Sequence, residues 1–396
     1  MTTTHAGAVL TPEERLARRR LILRDALSLL TLFLITAVIF TLTWFLHRSF
    51  VNHQQELGQR WKARGELALR EGHPQEAIEA LRAALSFVPD RGTEIELATA
   101  LAEAGRTTEA TAYFNTLWES APGDGIINLQ LARLTARQGN EPLAVRHYEA
   151  ALDGTWEGNG YQHRREVRLE LSGYFLSRKE YARARTQLLI AASNAPDDPA
   201  VKLQIAGLLE NAQDPQSALA IYRAVAAQRP APVQALEGSG RAAFALGMYR
   251  VAAEYLGRAV ASPAASALTD AQKAEDRGML DTASRILVLF PDINLPPRQR
   301  AERILADKNI ARMLLTNCAV GNPATASRLS GLVARWSQLP ARLTAEKLAQ
   351  LPDLEQTIVQ LMNDTATVTA QVCGPPSGDA ALLLRIAQNP AAVEQE

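Results

Sequence analysis

The residues of this 396-residue chain best suited to metal or proton chemistry are six histidines, at positions 5, 47, 53, 73, 147 and 163. None falls into HExxH or another ligand spacing, so no metal site is expected. GxGxxG, phosphate-binding, GxSxG and kinase-type patterns are also missing, and no cofactor is expected. Acidic pairs such as Glu94 and Glu96 sit in amphipathic helical patterns and read as solvated faces. The two cysteines, Cys318 and Cys373, lie beyond the last histidine, His163, and form no CxxC, which argues against a catalytic thiol. In an oxidising compartment they would pair, with two free buried thiols as the alternative. A bridge closing about 56 residues would contribute roughly 4 kcal/mol on the chain-entropy model. No enzymatic activity is expected; an unrecognised enzyme in the C-terminal region is the competing reading.

What must position any binding chemistry is a set of helices with a long period. Alanines recur at Ala77, Ala110, Ala144, Ala184, Ala218 and Ala252, at steps of 33, 34, 40, 34 and 34 residues, each inside an amphipathic pattern. A beat of about 34 residues is the signature of a helical solenoid. In the first unit Ala77, Leu81 and Ala84 form one stripe of a helix. The small residues Gly65 and Ala77 let two antiparallel helices approach, and Pro89 ends the second. The alternative is a plain bundle of Ala-rich helices with accidental spacing. The step of 40 holds an insertion, "DGTWEGNGYQ" over residues 153–162, whose Trp156 and Tyr161 either offer a contact point or pack back on neighbouring helices.

The set Trp61, Gly65, Ala77, Leu81, Ala84 and Pro89, repeated as Leu97, Ala98, Ala110, Phe114 and Pro122 and in four further units, resembles the tetratricopeptide repeat (TPR) family over residues 58–264. The resemblance implies that the first helix of each unit lines a peptide-binding groove. Carried over by position, the candidate groove residues are Lys62, Glu66, Ile95, Leu129, Arg133, Arg137, Leu169, Leu203, Glu210, Asn211, Glu237 and Arg241. Such a surface suits an extended or helical peptide, with leucines as anchors and charges setting register. Lys62 alone fits the carboxylate-gripping cluster of some members, and Glu66 opposes an anionic ligand. The four aliphatic positions Ile95, Leu129, Leu169 and Leu203 serve equally well as inter-helix packing.

Residues 26–46 are 21 consecutive uncharged, mostly apolar positions. As a helix they span roughly 32 Å, enough for a bilayer core of about 30 Å. Arg15, Arg18, Arg19, Arg20 and Arg24 precede them and Arg48 follows, which by the positive-inside rule puts the N-terminus in the cytoplasm. A cleaved signal peptide is disfavoured because no small-x-small site follows the apolar run. The expected organisation is a cytoplasmic segment 1–24, a transmembrane helix 25–46, a linker 47–57, the solenoid 58–264 and a helical capping or accessory region 265–396.

In that last region Met279 to Phe290 reads as a helix covering the final repeat, which end repeats require. Pro297 opens another helix, and Asp379 is read as the N-cap of a last one. The stretches "CGPP" and "ALLLRIA" resemble the ends of bacterial single-pass TPR proteins, a likeness that implies no activity. Equal numbers of basic and acidic residues, 42 each, argue against nucleic acid. The expectation is an all-α scaffold for protein–protein interaction in the cell envelope, anchored in the inner membrane with its bulk in the periplasm and touching lipid through one helix. A glycan-binding or polysaccharide-export-associated module is the alternative.

Overall fold

A computed structural model describes residues 12–320 and 323–389; His5 and the first 11 residues of the N-terminal segment lie outside the described residues. The fold is all-α, as expected. Among the described residues strand-type pairing amounts to one isolated bridge between Asp124 and Thr155. The chain divides into two compact units, residues 1–160 and 161–396, at the six-residue insertion.

The first unit opens with α1 (Pro12–Arg70), a single helix of 59 residues. The apolar stretch, the 47–57 linker and the first helix of the first repeat are therefore one continuous element. Its apolar side chains, including Leu30, Phe33, Ile39, Phe40 and Leu46, are exposed, so this stretch is long and apolar enough to cross a membrane and finds no cover in protein. The end of α1 pairs with α2 (Pro74–Phe87). Then follow α3 (Arg91–Glu103) with α4 (Thr107–Ser120), and α5 (Gly125–Arg137) with α6 (Glu141–Asp153). The second unit holds α7 (Gly160–Ser177, whose first residue closes the first unit) with α8 (Tyr181–Ser193), α9 (Pro199–Asn211) with α10 (Pro215–Ala226), and α11 (Val233–Ala245) with α12 (Tyr249–Val260).

The alanine beat has a structural cause. Each of Ala77, Ala110, Ala144, Ala184, Ala218 and Ala252 is the fourth residue of its hairpin's second helix, fully buried, with its N–H donated to the residue before that helix. A larger side chain there would meet the facing helix. The same closeness appears across the interface, where a Cβ on Gly65 would lie 2.6 Å from Leu81 Cγ and one on Gly240 2.5 Å from Leu256 Cγ.

The turn inside each hairpin repeats as well. Two residues past the end of the first helix, Gly72, Gly105, Gly139 and Gly247 have φ of 75 to 80°, and the next residue's N–H reaches back to close the helix, as Arg106 N does to Leu101 O at 2.9 Å. This is the Schellman closure, which needs a left-handed residue. In the fourth and fifth hairpins that residue is Lys179 (φ 61°) or Gln213 (φ 59°), where a Cβ is strained. Lys179→Gly and Gln213→Gly are each expected to stabilise the chain by about 0.5–1 kcal/mol, the relief of left-handed strain less the entropy glycine loses. Urea unfolding followed by ellipticity checks this, and the double variant should show the sum.

The remaining helices close the second unit. α13 (Asp270–Leu289) starts at a capping box from Thr269 and packs Ala283, Ile286 and Leu289 inward, lying on α12 and α11 and so covering the last repeat. α14 (Pro297–Val320), α15 (Pro323–Ser337), α16 (Ala345–Leu348) and α17 (Pro352–Cys373) share a core of Ile304, Leu315, Leu329, Trp336, Leu348 and Ile358. Cys318 and Cys373 are joined by a disulfide with Cα atoms 5.9 Å apart. α18 (Asp379–Gln388) packs on α17, α14 and α13. Asp379 is not its N-cap: Gly378 (φ 60°) holds that place, and Asp379, as first helical residue, forms a two-pronged ion pair with Arg285.

Candidate functional site

The candidate groove residues fall on the first helices of the hairpins, but most are already engaged. In the first unit Lys62 on α1 donates to Asp90 Oδ2 at 2.9 Å and lies 4.0 Å from Glu96 on α3. Asp90 also caps α3 by accepting from Thr93 N and Oγ1, and these bonds with Lys62 hold its carboxyl down at about 2. Glu96 is different. Burial pushes its carboxyl up to about 6, Lys62 opposes this, and the nearby Glu66 carboxylate adds to it. The reading of Glu96 as a solvated face is thereby corrected: it is partly buried between α1 and α3 and shares one ammonium with two other acids.

That arrangement has a pH signature. A carboxyl raised in the folded state contributes stability below its unfolded pKa, near 4.5, and that stability is lost as pH rises through about 6. Glu96→Gln should therefore match the parent at pH 4.5 and be more stable at pH 7 by roughly 2 kcal/mol, read from thermal unfolding at the two pH values.

The apolar candidates are largely packed. Ile95 lies against the core of Leu97, Leu101 and Phe114, Leu203 lies against that of Val225 and Leu236, and Leu129 is buried. Leu169 is half-buried on α7. Arg133 is half-buried and held by a contact of its own, while Arg137 is exposed and donates to Ala102 O at 3.3 Å. Asn211 is exposed at the end of α9.

In the second unit the structure gathers Glu210, Glu237 and Arg241 with Tyr222, a marker of the fifth repeat rather than a groove candidate, and with Asp276, which the spacing did not single out. Glu237, only 3% exposed, accepts from Arg241 Nη1. Arg241 Nη2 lies 3.7 Å from Glu210 Oε2, which also accepts from the Tyr222 hydroxyl at 2.8 Å. Burial, then Glu210, pushes the Tyr222 hydroxyl well above its ordinary value. Asp276 on α13 is buried, and both its oxygens lack a hydrogen-bond partner among the described residues. Burial and Glu237 push its carboxyl up to about 6. The repeat pattern marks Tyr222 as a packing position of α10, while Asp276 carried no signal because it comes from outside the repeats. The Tyr222 ring packs on Gly238, where a Cβ would lie 2.5 Å away, so tyrosine and glycine occupy one space.

The insertion loop separates its two aromatics. Thr155 N donates to Gly123 O and Gly125 N to Thr155 O, tying the loop to the turn before α5. Trp156 then lies over Gly125 with its Nε1 donated to Ala151 O at 2.9 Å. Tyr161 is 83% exposed. Among the described residues no cluster of three or more potential ligands could hold a metal ion.

Residues 95–160 and 203–268 match the tetratricopeptide repeat model. They hold the second, third, fifth and sixth hairpins; the first and fourth share the buried alanine and the left-handed turn. No curated protein matches the chain. PilF of Pseudomonas aeruginosa is 18% identical with a TM-score of 0.40, over 57% of this chain and 99% of that one. Yeast Tom70 is 15% identical with a TM-score of 0.39, over 86% of this chain and 55% of that one. At such scores neither likeness bears on function.

Proposed function

We infer that the chain is a membrane-anchored scaffold whose helical hairpins bind peptide segments of other proteins in a bacterial envelope assembly. The observation that carries this is α1: an uncovered apolar stretch runs without a break into the first repeat, so whatever holds the stretch also holds the first hairpin. Tetratricopeptide repeats are an interaction architecture, and a helix pair every 34 residues offers a long surface rather than an enclosed pocket. The arginines upstream of the apolar stretch support a cytoplasmic N-terminus and a periplasmic bulk. Exposed groove-side groups, Arg137 and Asn211 among them, would set register on a bound segment, while the buried aliphatics would fix the helices that present them. The glycan-contact alternative loses Trp156, whose ring is spent on Gly125, and retains Tyr161.

The test places a photocrosslinking amino acid at position 137 or 211 on first helices, and at 119 or 193 on second helices as controls, in intact cells. The same envelope protein captured from 137 and 211 and not from 119 or 193 is the expected result. Equal capture from all four would overturn the groove, and a C-terminal alkaline phosphatase fusion that is inactive would overturn the periplasmic placement.

A further inference from the structure

The largest unexplained chemistry lies outside the repeats. The turn after α13 and helices α14, α17 and α18 line a half-open cavity of about 390 Å³, a size at which small organic ligands bind. Its wall is mostly apolar, with Phe290, Ile304, Met362, Leu383 and Ile386. Two acids line it as well. Asp307 is 1% exposed and neither of its oxygens has a hydrogen-bond partner among the described residues. Glu355 takes Arg300 on Oε2, with Nε at 3.0 Å, and leaves Oε1 unpartnered.

The neighbouring cations cannot answer Asp307 because they are committed. Arg303, one turn before it on α14, donates to Leu287 O at 2.6 Å and to Phe290 O at 2.9 Å. Arg285 on α13 is held by Asp379 on α18. Arg300 is held by Glu355 on α17. One buried carboxyl is thus left over beside an apolar wall, a state that is costly when ionised unless a donor enters. Burial accordingly pushes Asp307 up to about 7, with Arg303 and Arg285 opposing and Asp379 adding to the shift.

We propose that this cavity is a binding site for a small primary ammonium with an apolar body, its N–H donors taken by Asp307 and the free Glu355 oxygen and its body by the apolar wall. An ammonium brings three donors and the missing charge. An alcohol brings one donor and no charge, and a carboxylate is repelled. The site is independent of the peptide-binding reading, since no repeat residue lines it.

The test uses the full chain in lipid nanodiscs at pH 8 and the ¹⁹F signal of 4-fluorobenzylammonium, with empty nanodiscs as the partition control. Saturable broadening is expected, with 4-fluorobenzyl alcohol weaker by at least about tenfold and 4-fluorobenzoate silent. Moving to pH 5.5 should weaken the ammonium by more than about tenfold, because Asp307 takes up a proton. Asp307→Asn should cost a similar factor while leaving ellipticity unchanged. Met362→Trp, which fills the chamber without altering charge, should abolish binding if Asp307→Asn proves unfolded. Broadening no greater than with empty nanodiscs, equal affinity for ammonium and alcohol, or full binding by folded Asp307→Asn would each overturn the site.

Discussion

Arg241→Met is expected to destabilise the second unit by about 3 kcal/mol, the cost of leaving a buried carboxylate without its countercharge. Glu237 is almost wholly enclosed and its ion pair with Arg241 runs along one face of α11. Glu210 from α9 and Asp276 from α13 bring two further acids to the same guanidinium. Once it is removed, the buried Glu237 and Asp276 and the half-buried Glu210 lose the guanidinium between them, and the least expensive response is to take up protons. The variant's stability should therefore rise as pH falls from 7 towards 5, where the parent changes less. Adding Glu237→Gln to Arg241→Met should restore most of the loss, and the double-mutant cycle between them should give a coupling of about 2 kcal/mol. Denaturant titration reads all four corners. If Arg241 instead faced open solvent to receive a peptide, the single variant would unfold at the parent's midpoint and only crosslinking would change.

The repeats were legible because one buried contact recurs. Ala77 and its five counterparts must be small for the same reason in every hairpin, and a constraint repeated six times writes a period into the chain. The groove was less legible. Position within a repeat says which helix a residue occupies, and it put Glu210, Glu237 and Arg241 on the right helices. It does not say whether a side chain meets solvent or another side chain, and here α13, which belongs to no repeat, supplied Asp276 and closed the cluster over Glu237. Glu96 misled for a related cause: its surroundings come from Lys62 and Glu66 on a helix about thirty residues earlier. Asp379 looks like a helix cap next to "AALLLRIA", yet Gly378 takes the cap because Arg285, far away in sequence, draws the aspartate into an ion pair. Asp307 and Glu355 gave no sequence signal at all, since their meaning depends on which cations are already occupied.

Replacing Cys318 and Cys373 together by serine is expected to cost about 4 kcal/mol, the loop-closure entropy of a bridge spanning about 56 residues. The loss should be concentrated where the closed loop does its holding. α15 and α16 lie wholly inside it, and the bridge pins the ends of α14 and α17, which also meet through the shared core that includes Leu315 and Leu361. Trp336 Nε1 donates to Thr365 Oγ1 at 2.9 Å across this core, so its emission, isolated by replacing the other four tryptophans with phenylalanine, reports the opening. Reduction of the parent with dithiothreitol should lower its unfolding midpoint towards that of the double serine variant, while the variant itself is unaffected by reductant. α14 and α17 also wall the apolar cavity, so loosening their far ends should weaken ammonium binding in both reduced parent and variant. The same pair reads topology in living cells. A bulk held in the periplasm keeps both thiols resistant to alkylation until reductant is added, whereas a cytosolic bulk exposes them to a glutathione pool and to the alkylating reagent at once.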